Sequence, residues 1–281
     1  MKIDLPLIFL HFPRTGGYTL NEVLKRKFKN NEMYGVYVPE KGVIPKIVEE
    51  NFINLPMFEK QKFKFIYGHF FFGLHSFYEH YSYYTLLRNP LDRVVSMYGI
   101  ALTSKEHYLY DYIIKNKMFL KDLLKNNISP EFNNGMVRTL AGVQYDGKDC
   151  NEEIYEIARK NFDKYFICFG ITDRFFESVA LMNVKFGIST IIFKEKMNTR
   201  KVNLSNILKD KEVVDLIKER NKYDIQLYDY AVSKFDEMIK HNTQQVEQEM
   251  KKLTSFHKKL NKMSANTILK IFVPLYIKLQ K

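Results

Sequence analysis

The 281 residues, 46% hydrophobic and 27% charged, have the balance of a globular chain and suit one large α/β domain. A net charge of +12 points to a polyanionic partner (nucleic acid, anionic glycan, acidic membrane surface or nucleotide) without choosing among them. Cys150 and Cys168 are too few and too far apart for a disulfide framework or a zinc site, which points to a reducing compartment. With no signal-peptide pattern and no run of about 20 apolar residues, neither a leader nor a membrane-spanning helix is expected.

Leu5-Pro6-Leu7-Ile8-Phe9-Leu10-His11 is short, apolar and bounded by turn residues, which predicts a buried strand. Leu20, Val23, Leu24 and Phe28 then fall on one face at helical spacing. Between them lies Phe12-Pro13-Arg14-Thr15-Gly16-Gly17-Tyr18-Thr19, a glycine-containing loop between strand and helix. Gly16 and Gly17 let the backbone bend and approach a ligand closely. The N–H groups and dipole of the helix start favour an anion there, and Arg14, Thr15 and Thr19 add a fixed charge and two hydroxyls. Taken alone, the loop is equally an ordinary strand-to-helix turn, and it is not a Walker A loop, since no Gly-Lys-Ser/Thr follows.

Further along, the pattern predicts a strand around Met33 to Val38, a helix around Ile44 to Phe52 and a strand over Phe63 to Tyr67, which leads into Gly68-His69. A strand from Ser82 to Leu87 ends at Arg88. Asn89 is placed to cap a helix that Pro90 starts and Asp92 suits, and Ser96 lies about two turns along it. From about 103 to 164 the pattern is helical, with breaks at Ser129-Pro130 and Gly147. Lys164 to Phe169 is expected to be a strand, Thr172 a helix cap, Thr190 to Phe193 a short strand before the basic loop Met197 to Lys201, and 211–241 helical. The alternation predicts a mostly parallel sheet with helices on both faces and ligands beyond the carboxyl ends of the strands. Residues 1–242 are taken as the main domain. Residues 243–281 form a basic helical extension with an apolar stripe at Met250, Leu253, Phe256, Leu260 and Met263. That stripe docks on the body, binds a partner or lies on a membrane surface.

Three stretches in this order carry a family resemblance. Phe12 to Leu20 resembles the 5′-phosphosulfate loop, and Arg88 to Ser96 the 3′-phosphate motif, of the sulfotransferases that use 3′-phosphoadenosine 5′-phosphosulfate. Tyr67 to His75 resembles the Gly-His segment of their carbohydrate O-sulfotransferase branch, which includes the heparan sulfate 2-O-sulfotransferases and many bacterial relatives. Asn133 to Gly142 resembles an element near that branch's active cleft. The resemblance implies a three-layer, P-loop-like α/β fold. It implies transfer of a sulfuryl group from 3′-phosphoadenosine 5′-phosphosulfate to a hydroxyl of a carbohydrate acceptor, with no metal and no nucleic-acid partner. The chain opens directly on its first strand, as the soluble bacterial members do. This implies a cytoplasmic protein, with contact at the inner membrane surface through its C-terminal segment as one further reading.

Residue by residue, the resemblance implies His69 as the base that takes the acceptor's proton, a task suited to imidazole. It makes Arg14 the contact to the phosphosulfate where the family usually has Lys. Arg keeps the charge and can bind bidentately, but it cannot act as an acid. Thr15, Gly16, Gly17, Tyr18 and Thr19 complete the loop, with Tyr18 stacking on a ligand or simply packing where small residues are frequent. Arg88 and Ser96 would bind the 3′-phosphate. Arg200 and Lys201 would sit in a loop that closes over the donor, and Arg138 is a further candidate for binding an anion. His11 is expected to be structural, and His75 and His80 add no metal set. Two alternatives stand: a non-catalytic binder of nucleotide or sulfated glycan, and a P-loop-like kinase.

Overall fold

The computed structural model of the chain describes residues 4–37, 45–143, 149–188 and 206–262. The first apolar run is β1 (Leu7–Leu10), fully buried along its length. Unbroken apolarity is what a parallel strand covered on both faces requires. It feeds α1 (Gly17–Leu24), which buries Leu20, Val23 and Leu24 as their spacing predicts. Then come β2 (Met33–Val36), α2 (Pro45–Ile53), the single-turn α3 (Met57–Lys60), β3 (Phe65–Gly68), β4 (Ser82–Tyr84) and β5 (Leu86–Leu87). The first four strands to pair form a parallel sheet in the order β2-β3-β1-β4, with Leu7 opposite Phe65 on one side and Ser82 on the other.

The strand expected over Ser82 to Leu87 is divided at Thr85. Its hydroxyl donates to the Leu10 carbonyl at 2.7 Å, and its own carbonyl accepts from Gly170 N–H at 2.9 Å. The chain therefore leaves β1 and, as β5, pairs in parallel with β6 (Gly170–Ile171).

Helices cover the sheet. They are α4 (Pro90–Thr103), α5 (Tyr110–Asn116), α6 (Leu120–Lys125), α7 (Gly135–Ala141), α8 (Glu152–Tyr165), α9 (Phe175–Phe186), α10 (Lys211–Arg220), α11 (Lys222–His241) and α12 (Thr243–Lys262). The result is the expected α/β fold, a mostly parallel central sheet flanked by helices with a C-terminal helical stretch. Asn89 caps α4 as predicted, its side-chain oxygen accepting from Leu91 N–H at 2.9 Å. The strand expected over Lys164 to Phe169 is instead the end of α8 and the turn after it. Asn151 caps that helix, and Ile154, Ala158, Phe162 and Tyr165 keep helical spacing to its last residue, so strand geometry begins only at Gly170.

Two apolar clusters result. One surrounds the sheet, and Val246 and Leu253 of α12 join it against α9. The other lies beyond α4 and joins Val94, Met97 and Ala101 to Ile113, Leu123, Leu124 and Ile217 from α5, α6 and α10. Among the described residues no helix is long and apolar enough to cross a membrane. The expected strand Thr190 to Phe193, the loop carrying Arg200 and Lys201, and residues 263–281 lie outside the described residues.

Candidate active site

The glycine loop leaves the carboxyl end of β1 beside Arg88, which follows β5. Arg14 and Gly16 both adopt left-handed backbone, with φ of 69° and 80°. For Gly16 this is free of steric cost. For Arg14 it stores strain of about 1–3 kcal/mol, of the kind that gathers at functional sites. The Arg14 Nε donates to Ser96 Oγ at 3.0 Å, and Arg88 Nη1 donates to the Arg14 carbonyl at 3.0 Å. The structure thus brings Arg14 to two residues that lie 74 and 82 positions further along the sequence. Among the described residues neither guanidinium has a carboxylate partner, and the buried Arg88 Nε has no hydrogen-bond partner. Burial and the charge of Arg88 pull the Arg14 pKa down. Two adjacent, partly desolvated cations are a poor arrangement unless an anion joins them.

The rest of the loop divides. Tyr18 is 58% exposed and Thr19 half-buried on the first turn of α1, where N–H groups lack intrahelical partners. Thr15, expected to offer a hydroxyl to the anion, is instead fully buried, and its O–H donates to the Phe12 carbonyl at 2.9 Å. Thr172, expected as a helix cap, lies in a 3-10 turn. Its hydroxyl stands 2.6 Å from the Thr15 carbonyl and 3.0 Å from that of Leu87, tying the loop to β5. Gly17 makes its close approach to protein rather than to open space. A Cβ there would lie 2.1 Å from Cδ2 of His11.

Beside the loop opens a pocket of about 160 Å³, lined by His11, His69, Phe12, Phe70 and Phe71. Four ionisable side chains, Glu49, Arg93, Glu131 and Arg138, complete its wall. His69 follows β3, and its Nδ1–H donates to the His11 carbonyl at 2.6 Å. The proton is therefore on Nδ1 and the lone pair on Nε2. Burial lowers the His69 pKa to about 4, against the opposing effect of the His11 carbonyl, so the ring is neutral and able to accept a proton at physiological pH.

His11, expected to be structural, is buried and also lines the pocket. Its ring lies 4.6 Å from that of His69 and stacks on Phe9. Asn21 donates to the Tyr37 hydroxyl at 2.5 Å, and that hydroxyl meets His11 Nδ1 at 2.7 Å. Burial first, then His69 and Arg14, hold His11 well below the ordinary imidazole range.

The far wall is fixed by an exchange of caps. Asp224 accepts from the N–H groups of Met136 (3.2 Å) and Val137 (2.8 Å) at the start of α7. Asn134 in turn accepts from the N–H groups of Tyr223 (2.8 Å) and Asp224 (3.0 Å) at the start of α11. Arg93 joins them, its Nη2 donating to Asp224 at 3.2 Å and to the Glu131 carbonyl at 2.9 Å, with both members of the ion pair buried. Arg138 is 2% exposed and donates from Nε to the Asn133 carbonyl at 3.1 Å. Burial raises the pKa of Glu131, and Arg93 and Tyr108 oppose it. Burial likewise raises Glu49.

Sequence reasoning missed Glu49, Glu131, Tyr37 and Asn21. Only Glu131 carried a local signal, standing just after the Ser129-Pro130 break and before the Asn133 element. No protein-family model matches the chain, and a search of curated proteins returns no match.

Proposed function

We propose that the protein is a sulfotransferase that moves a sulfuryl group from 3′-phosphoadenosine 5′-phosphosulfate to a hydroxyl of a carbohydrate acceptor. The observation that carries this reading is the pairing of two features at adjacent strand ends. Arg14 and Arg88 form a cationic pair that has no carboxylate partner among the described residues, and His69, its Nδ1 held by the His11 carbonyl, lines the pocket beside the loop.

The donor supplies an activated sulfuryl group bonded to phosphate. Arg14, the α1 N–H groups and the Thr19 hydroxyl suit the phosphosulfate end, and Arg88 and Ser96 suit the 3′-phosphate. Arg14 remains charged throughout, so it stabilises the departing phosphate electrostatically and does not protonate it. His69 Nε2 takes the proton of the acceptor hydroxyl as the new oxygen–sulfur bond forms and the bond from sulfur to the phosphate oxygen breaks. The products are a sulfate ester and 3′-phosphoadenosine 5′-phosphate. Thr15 takes no part through its hydroxyl, which is held by Phe12. A cytoplasmic setting is supported by Cys150 and Cys168, both buried free thiols.

The test is calorimetry with 3′-phosphoadenosine 5′-phosphate and AMP, followed by single-turnover transfer of labelled sulfate to a glycan panel. Tighter binding of the 3′-phosphorylated nucleotide together with transfer supports the reading. Equal affinity for the two nucleotides removes the 3′-phosphate assignment. Binding without transfer leaves a nucleotide-binding protein.

A further inference from the structure

Resting on the sulfotransferase reading, we propose that the acceptor is an uncharged sugar ring that enters the pocket with one hydroxyl on His69 Nε2 and its neighbours donated to Glu49 and Glu131. Sugars bearing carboxylates or sulfates are selected against.

Size comes first. At about 160 Å³ the pocket is well below the roughly 300–1,000 Å³ of sites that enclose drug-sized ligands, which suits one ring or the end of a chain. The polar lining comes next. A carboxylate is an acceptor with room for several donors, and sugar hydroxyls are donors. Among the described residues, Glu49 accepts one long bond, from Phe71 N–H at 3.5 Å, and Glu131 accepts one, from Tyr108 at 3.2 Å. Both retain capacity for an incoming hydroxyl. Phe12, Phe70 and Phe71 provide apolar surface for the C–H faces of a sugar.

Charge decides between acceptor classes. The chain as a whole is strongly basic, but the two arginines of this wall are almost wholly buried. Arg93 binds Asp224 and the Glu131 carbonyl. Arg138 is 2% exposed and bonds to the Asn133 carbonyl. Arg14 lies on the loop, with its Nε on Ser96. An anionic sugar would set its charge against Glu49 and Glu131 in a poorly solvated space, and like charges across an interface oppose binding. A neutral ring meets the same carboxylates as hydrogen-bond partners.

The experiment uses the full chain with 3′-phosphoadenosine 5′-phosphate present. Saturation-transfer NMR compares methyl hexopyranosides with the matching methyl hexuronosides, and in parallel single-turnover transfer to each is measured with labelled 3′-phosphoadenosine 5′-phosphosulfate in place of the product nucleotide. The neutral rings are expected to bind and to accept sulfate at least about tenfold better, a difference that one charged contact readily supplies. Glu49→Gln and Glu131→Gln keep an acceptor oxygen and remove the charge, so each narrows the gap by raising the uronoside. If Glu131→Gln does not fold, Glu49→Gln alone carries the comparison. Preference of the wild type for uronosides, or binding of neither ring with nucleotide bound, overturns the proposal while the nucleotide site stands. An unchanged preference in both variants overturns the role given to the carboxylates. Failure to bind the nucleotide at all removes the sulfotransferase reading, and this proposal with it.

Discussion

The two halves of the cleft are built in different ways. The loop half is made by short stretches, residues 12–19 and 88–96, each running from a strand end into a helix. Its working groups are backbone N–H donors and two arginines without acidic partners among the described residues. The pocket half is assembled from α2, the ends of β1 and β3, α4, the turn at Pro130 and α7, and it mixes imidazole, carboxylate and guanidinium. The first half suits a ligand whose charge is fixed in advance. The second can match hydroxyls one by one. On the proposed sulfotransferase reading, this division lets donor recognition stay intact when the acceptor pocket changes.

The sharpest way to separate the halves is His69→Ala. Turnover should fall about 10²–10⁴-fold through loss of the base, with nucleotide affinity unchanged. Single-turnover transfer and calorimetry measure the two, and a parallel loss of binding would make His69 structural. The same imidazole sets a pH dependence. Its folded pKa of about 4 lies below the roughly 6.5 of an unfolded chain. The unfolded state therefore takes up protons first as pH falls, so stability is fully present above about 6.5 and declines towards 4. His107, also lowered to about 4 by burial and then by Arg14, acts in the same direction. Urea midpoints measured from pH ~7.5 to ~4.5 should fall accordingly, and the acid limb of turnover should lie near 4.

Next in size is Asp224→Ala, which leaves Arg93 buried without its ion-pair partner and uncaps α7. A loss of about 3–5 kcal/mol in denaturant unfolding is expected. Under native conditions the pocket half should suffer before the loop half, so acceptor binding weakens more than nucleotide binding. Equal loss of both would show that the halves are not separable. Smaller again, Arg88→Ala and Ser96→Ala should weaken 3′-phosphoadenosine 5′-phosphate by about 1–3 kcal/mol each and leave AMP nearly unchanged in calorimetry. The smallest effect is expected from Tyr37→Phe, which removes the hydroxyl against His11 and Asn21. About 0.5–1.5 kcal/mol of stability should be lost, read from thermal unfolding, with nucleotide affinity intact.

The same contrast explains what the sequence discloses. The loop half is local, so its strand, its helix, the Asn89 cap, the placement of Arg14 and Arg88 after strand ends and that of Ser96 on the helix follow from short-range pattern. Even there, the direction of a side chain is not given by its type. Thr15 turns inward onto the Phe12 carbonyl three residues back, and Thr172 leaves its expected capping role to hold the loop against β5. The pocket half is legible at His69, which ends a strand. Glu49 and Glu131 are separated by 82 positions (131 minus 49) and share a wall only once α2 and the Pro130 turn have packed. Lys164 and Tyr165 show the limit of apolar pattern, since a short run rich in aromatics suits a strand or a helix end equally.

The reciprocal caps between α7 and α11 have a consequence for hydrogen exchange. The amides of Met136, Val137, Tyr223 and Asp224 are each held by a side chain of the opposite helix start, 87 to 90 residues away in sequence. Neither helix can release its first-turn amides to solvent without releasing the other's. The two starts should therefore exchange deuterium at one common rate, set by a joint opening rather than by local fraying. Arg93 is held by Asp224 of α11, and Arg138 sits on α7, whose first turn Asp224 caps, so the lifetime of the pocket wall is tied to the folding of α11, some ninety residues downstream.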